Sequence, residues 1–298
     1  MEQFLPGSIK KAEDIMFLIS SRRGFTSNKA FSNTDLVSII GDVKTRVLTT
    51  EERFLSHILS EKILLIVHGF NNPFSYILPE YMQLREQYKN QLGNHYDYIV
   101  GYTWPAGESE IDYFQAKKNT DTAANRLNDW LCKLDDINCT VDIAGHSMAA
   151  MVGYKSLSQE TSAQIRNIFS FGAAIPKKML LKENIVNQAL GKVEHVYAFY
   201  NRNDHILKYL FRLMEGSQAL GCAGLPNSGY FENQKGKITA IDCTDINISH
   251  TGYMRSSEVT EFMEAVLRGQ DTGRFTKLEK RDMDTSSSLR MDYEYALN

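Results

Sequence analysis

Ser147 lies in the segment Gly145-His146-Ser147-Met148-Ala149, after the apolar run CTVDIAG (139–145) and before the helix-compatible MAAMVGYKSL. A serine that attacks a carbonyl needs an exposed hydroxyl, a nearby base and donors for the oxyanion that forms. A sharp turn between a buried strand and a helix meets the first and third needs together. It tips the hydroxyl outward and aims the next residue's N–H, at the helix N-terminus, towards the oxyanion. Such a turn tolerates only small residues two places to either side. Gly145 and Ala149 hold those places, so the segment is built to display Ser147 for acyl chemistry.

The elements that must position this serine follow from hydrophobic patterning. DIMFLIS (14–20), KTRVLTT (44–50), KILLIVHGF (62–70), YDYIVGYTW (96–104), CTVDIAG (139–145), IRNIFSFGA (165–173), VEHVYAFYN (193–201) and GKITAIDC (236–243) read as strands. KILLIVHGF is apolar throughout, as for a strand buried on both faces. Helix-like segments fall between them, at about 74–92, 113–133, 148–158, 176–190, 205–215 and 256–268. The alternation predicts one α/β domain over 1–276: a mainly parallel, doubly wound sheet with helices on both faces. Two stretches break the rhythm. Residues about 205–236 form a long loop or lid-like excursion, its 214–236 part rich in glycine, asparagine and serine, and 277–298 reads as a flexible polar tail.

The segment G-H-S-M-A resembles the nucleophile elbow of the α/β-hydrolase fold, G-x-S-x-G, with alanine in the last small place. In that fold a strand ending in His-Gly leads into the loop that supplies the second oxyanion N–H. LLIVHGFNNPF is such a strand and loop, and the resemblance places the oxyanion donors at Phe70 and Met148. The fold supplies its acid and its base in the order Ser, Asp or Glu, His. Asp204, in the loop beyond VEHVYAFY, and His250, in the loop beyond KITAIDC, occupy those places. Asp242 and Asp245 are the rival acids, read as strand-end or turn residues. His57, His95, His195 and His205 are the rival bases, and His146 is read as packing beneath the elbow.

More widely the chain is similar to bacterial α/β-hydrolases of the DUF900 type and to lipase-like serine hydrolases. FLISSRRGF, VHGFNNPF and YTWPAGE carry the likeness, which covers about residues 14–268. It implies a serine esterase using Ser147, Asp204 and His250, with no metal and no cofactor. His68, Gly69, Asn71, Trp104 and His146 would border the substrate pocket; Asn71 and Asn72 either brace the oxyanion loop or form its turn. The implied substrate is a small-molecule or lipid-like acyl compound. Residues 204–216, with Ile206, Leu207, Leu210, Phe211, Leu213 and Met214, are either an apolar lid or a helix packed on the core. A catalytically inactive binding protein on the same fold is the alternative.

Bulk composition narrows the remaining classes. Hydrophobic residues at 43% and charged residues at 23% fit a folded globular chain rather than a disordered one. A formal charge of -3, without a long basic run, speaks against a nucleic-acid partner. Cys132, Cys139, Cys222 and Cys243 are too few and too irregular for a disulfide scaffold, so they read as reduced thiols. The apolar run from Ile15 to Ile19 is too short for a signal-peptide core, and no later stretch could cross a bilayer. The expected location is cytoplasmic, with secretion by a signal-less route left open.

Overall fold

The computed structural model describes residues 15–41, 46–160, 163–180, 185–225, 237–246 and 248–280. Within them, ten strands form one sheet. They are β1 (Met16–Arg22), β2 (Phe31–Ile40), β3 (Arg46–Thr49), β4 (Lys62–Val67), β5 (Tyr98–Thr103), β6 (Thr140–His146), β7 (Ile165–Phe171), β8 (Val193–Tyr200), β9 (Ile238–Asp242) and β10 (Phe275–Lys277). Their order is β10-β9-β8-β7-β6-β4-β5-β1-β2-β3. Every pairing from β10 to β1 is parallel; β2 and β3 extend the sheet as an antiparallel edge. This is an α/β-hydrolase-like arrangement, a mixed and mainly parallel sheet with helices on both faces.

Period-two alternation splits the core between those faces. Ile63, Leu65 and Val67 of β4 pack to one side with Val141 and Ile143. There they meet α3 (Tyr113–Asp136) through Leu127 and Trp130, and α4 (Met148–Leu157) through Val152. Leu64 and Ile66 point to the other side, where Tyr81 and Leu84 of α2 (Phe74–Leu92) and Phe262 of α8 (Ser257–Leu267) cover them. Each such fully buried aliphatic side chain contributes about 1.5–3 kcal/mol of transfer free energy. A one-residue slip of β4 would exchange the two sets, so burial fixes the register. Close approach also sets the distance of α2 from the sheet: a Cβ on Gly101 would stand 2.5 Å from the Tyr81 ring.

Some elements differ from the sequence reading. β2, FSNTDLVSII, was not expected as a strand, because its first half is polar and only partly buried. The run 44–50 narrows to β3, and the short helix α1 (Glu51–His57) follows it, its first turn capped by the Thr50 side chain accepting from Arg53 N–H. The helix expected at 176–190 is a 3₁₀ turn, Lys177–Leu180, and a separate helix α5 (Ile185–Leu190), with 181–184 outside the described residues. The 205–215 segment is a π-helix over Ile206–Phe211 continuing into α6 (Arg212–Glu215), and Gly216, at φ 60°, ends it. A further short helix, α7 (Leu220–Ala223), follows. The segment read as a tail begins inside β10, with Leu278 buried, while 281–298 and 226–236 lie outside the described residues.

Candidate active site

Adjacent parallel strands deliver their C-terminal loops to one edge of the sheet, the usual place for a site in such a fold. β6 ends at Ser147, β4 at the loop beginning with His68, β8 at the loop holding Asp204, and β9 at the loop holding His250. Ser147 has φ 57° and ψ -119°, a conformation that costs a serine about 1–3 kcal/mol. The surroundings enforce it. Ser147 N–H donates to Phe171 O at 2.9 Å, and Ser147 O accepts from Ala174 N–H at 3.1 Å. A Cβ on Gly145 would lie 3.4 Å from the Ala149 carbonyl, in contact with the start of α4.

Three side chains distant in sequence meet here. Ser147 Oγ lies 3.0 Å from His250 Nε2, and His250 Nδ1 lies 2.7 Å from Asp204 Oδ2. Asp204 has no exposed side-chain surface, and its other oxygen, Oδ1, accepts from Leu207 N–H at 3.0 Å. A carboxylate beside Nδ1 holds the proton there, so the Nε2 lone pair faces the Ser147 hydroxyl. Asn201 fixes the loops to one another, its Nδ2 donating to Ile248 O at 2.8 Å.

His146 and His68 support this cluster from behind. Burial, and then the neighbouring His250, pushes the His146 imidazole down to about 3. It is neutral at ordinary pH, and its Nε2–H donates to His250 O at 2.7 Å. His68 is held well below its ordinary value chiefly by burial, with Arg22 adding to the effect. Its Nδ1–H therefore donates to Gly69 O at 2.9 Å, while Nε2 accepts, facing Trp104 N–H at 3.2 Å and Arg22 at 3.1 Å. Trp104, expected in the pocket wall, is fully buried. Its ring stacks on His68 with centroids 5.7 Å apart, and its indole N–H donates to His68 O, so it stiffens the loop rather than lining a pocket.

The loop after β4 approaches the elbow closely. A Cβ on Gly69 would lie 2.9 Å from His146 O and 3.1 Å from Ser147 Cβ. Asn71, at φ 53°, makes the turn and donates its N–H to Ala106 O at 3.0 Å, while Asn72 Nδ2 reaches Gly69 O at 3.4 Å. Among the described residues, neither Phe70 N–H nor Met148 N–H donates a backbone hydrogen bond. Both are free to meet an anion. Behind the loop sits Arg22, wholly buried, which the sequence reading left without a role. Its guanidinium binds Thr103 Oγ1 at 2.6 Å, Asn72 O at 3.0 Å and the Asn28 side chain, and burial pushes it down to about 9.

These neutral histidines make stability pH-dependent. In the unfolded chain each takes up a proton near 6.5, whereas burial in the fold resists protonation, so the unfolded state binds more protons below that pH. Stability is complete above about 6.5 and declines on acidification. At pH 5 the His146 imidazole, held at about 3 in the fold, costs about 2 kcal/mol, and the deeply buried His68 adds a loss of the same sign. Urea midpoints at pH 7 and pH 5 should show the loss, and His146→Gln should reduce it.

The rival residues have other partners. Asp242 accepts from Thr244 N–H at 2.9 Å and Tyr200 OH at 3.0 Å, and Asp245 pairs with Lys277 at 2.6 Å. His195 meets Thr239 Oγ1 at 2.9 Å, His57 packs edge-on to Phe17, and His205 stacks on Tyr209. A cavity of about 530 Å³ opens at the other end of the strands, beside Asp97 and Tyr98, remote from Ser147. Among the described residues, no helix is long and apolar enough to cross a membrane.

Comparison with solved structures finds similar chains at low identity. TT1662 from Thermus thermophilus is 13% identical, with a TM-score of 0.44 over 79% of this chain and 92% of that one. An inhibited esterase B from Lactobacillus rhamnosis is 10% identical, with a TM-score of 0.47 over 86% and 87%. The peroxisomal alpha-beta-hydrolase Lpx1 of Saccharomyces cerevisiae is 8% identical, with a TM-score of 0.38 over 86% of each chain. No curated protein matches. The family model described as "Alpha/beta hydrolase of unknown function (DUF900)" matches residues 48–268, a span that takes in β4, the Ser147 turn and the loops of Asp204 and His250, and the chain belongs to that family.

Proposed function

We propose that the protein is a serine hydrolase that cleaves a carboxylic ester or related acyl bond through an acyl-enzyme. The carrying observation is the unbroken chain Ser147 Oγ, His250 Nε2, His250 Nδ1, Asp204 Oδ2, with links of 3.0 and 2.7 Å. In the mechanism, His250 Nε2 takes the Ser147 proton as Oγ bonds to the carbonyl carbon. Asp204 stabilises the imidazolium, and the Phe70 and Met148 amides receive the oxyanion. Collapse breaks the bond to the leaving alcohol, which departs with the proton from Nε2. Water then enters by the same steps and releases the acid and free Ser147. Losing one oxyanion donor typically costs about 3 kcal/mol of transition-state stabilisation.

Surface residues near the site support an apolar acyl group. Phe70 packs edge-on to Tyr113, whose hydroxyl donates to Glu215 Oε1 at 3.0 Å, so the start of α3 and the end of α6 flank the oxyanion loop. Ile111 and Leu213, which are 90% and 81% exposed, belong to these flanks. We read 205–225 as a cap beside the site, within a single domain. A fluorophosphonate probe should label the wild type rapidly and Ser147→Ala not at all. Failure to label well-folded wild type would favour the inactive binding protein. Across p-nitrophenyl esters, kcat/KM should rise from acetate towards octanoate; a strict preference for acetate would remove the apolar acyl site.

A further inference from the structure

We propose that a second cavity, beside the Asp204 loop, binds a phosphate group. It measures about 290 Å³ and is bordered, among the described residues, by four cationic side chains, Lys177, Arg202, Lys208 and Arg212, together with the Gln218 amide and no carboxylate. Backbone contacts bring these residues together. Lys177 N–H donates to Gln218 O at 2.8 Å, and Pro176 bridges to Ala219, which joins the 177 turn to the segment following α6. Lys208 and Arg212 stand four residues apart on one helix and both face solvent. Like charges four residues apart on a helix repel, and an anion near them lowers that repulsion.

The charge there is largely uncompensated. Among the described residues, Lys177, Lys208 and Arg212 form no ion pair. Arg202 leans over the Tyr200 ring and reaches Asp242 at 3.4 Å. The nearest buried acid, Asp204, is already engaged by His250 and Leu207. Several cations around one small cavity suit a tetrahedral group with up to two negative charges and three acceptor oxygens. A carboxylate, with one charge and two oxygens, is met by a single arginine.

Neither Ser147 nor His250 borders this cavity. Leu207, Phe211, Ala174 and Ala219 form a small apolar cluster there, and Ala174 N–H donates to Ser147 O. Binding here is thus a property apart from ester cleavage, although the cavity touches the catalytic loop: Lys208 N–H donates to Asp204 O at 2.9 Å. The phosphate could be carried by a soluble phosphate ester or by a lipid headgroup. The exposed Ile206, Tyr209 and Leu213 on the same helix would meet the lipid in the second case.

Calorimetric titration of the full chain with inorganic phosphate and with glycerol 3-phosphate tests the first source. Co-sedimentation with phosphatidylcholine vesicles, with and without phosphatidic acid, tests the second. Saturable binding to at least one phosphate-bearing probe is expected, weakening with added salt. It should fall at least about tenfold in Lys208→Gln/Arg212→Gln and to a smaller degree in Lys177→Gln, which lies on a separate element. Binding to phosphatidic acid vesicles alone, reduced by Leu213→Ser, would assign the phosphate to a headgroup. Thermal unfolding of each variant confirms that it is folded. No binding to any phosphate-bearing probe, equal binding by wild type and both variants, or equal sedimentation with pure phosphatidylcholine would overturn the proposal. The readout is binding, so an inactive protein would leave this result intact.

Discussion

Ser147→Ala and His250→Ala are each expected to lower kcat for an activated ester by about 10⁶-fold, and the double variant to lose nothing further. Such non-additivity follows from the geometry. Without the imidazole 3.0 Å away, the hydroxyl keeps its proton and is a poor nucleophile; without the hydroxyl, the imidazole has nothing to deprotonate. The residual rate should come from the Phe70 and Met148 amides, which neither substitution removes. Single-turnover rates with a p-nitrophenyl ester would measure all three variants. A single-variant loss of only a few-fold, in protein that still unfolds cooperatively, would mean that another group activates the serine.

Asp204→Asn should cost about 10⁴-fold in kcat while leaving the fold in place. The asparagine Oδ1 can still accept from Leu207 N–H, so the loop keeps its anchor. Its amide NH₂ then faces His250 Nδ1, where the carboxylate had accepted the Nδ1–H hydrogen bond. The imidazole must move its proton to Nε2, which now points an N–H at Ser147 Oγ and cannot act as base. KM should change little, since Asp204 is buried away from any bound ester. An Asp242→Asn control should leave kcat near the wild-type value, because that carboxylate serves Thr244 and Tyr200 at the strand end. Equal losses in the two variants would remove Asp204 from its proposed role.

How much of this was legible in the sequence differs residue by residue. The Ser147 turn is a local device: its small neighbours, the strand before it and the helix after it all lie within a dozen residues, so pattern alone locates it. Asp204 and His250 could be chosen only through their loops and chain order, because the bond between them spans 46 residues. β2 escaped because half of its face meets solvent and carries polar residues. Trp104 escaped in another way: the strand end was correctly read, but the direction of the indole depends on stacking against His68, across two strands. Arg22 and the cations around the 290 Å³ cavity are tertiary features throughout, since nothing local marks a guanidinium that folds inward or lysines that converge from separate elements.

The bare backbone at Gly69 carries a consequence for altering this protein. Two chain segments from neighbouring strands pass there with less room than a methyl group needs. The gap between the Phe70 N–H and Ser147 Oγ is therefore set by main-chain contact and not by any adjustable side chain. Efforts to change what the site accepts have room to work outward from Phe70, whereas adding even one carbon at 69 would push the loop and the Ser147 turn apart.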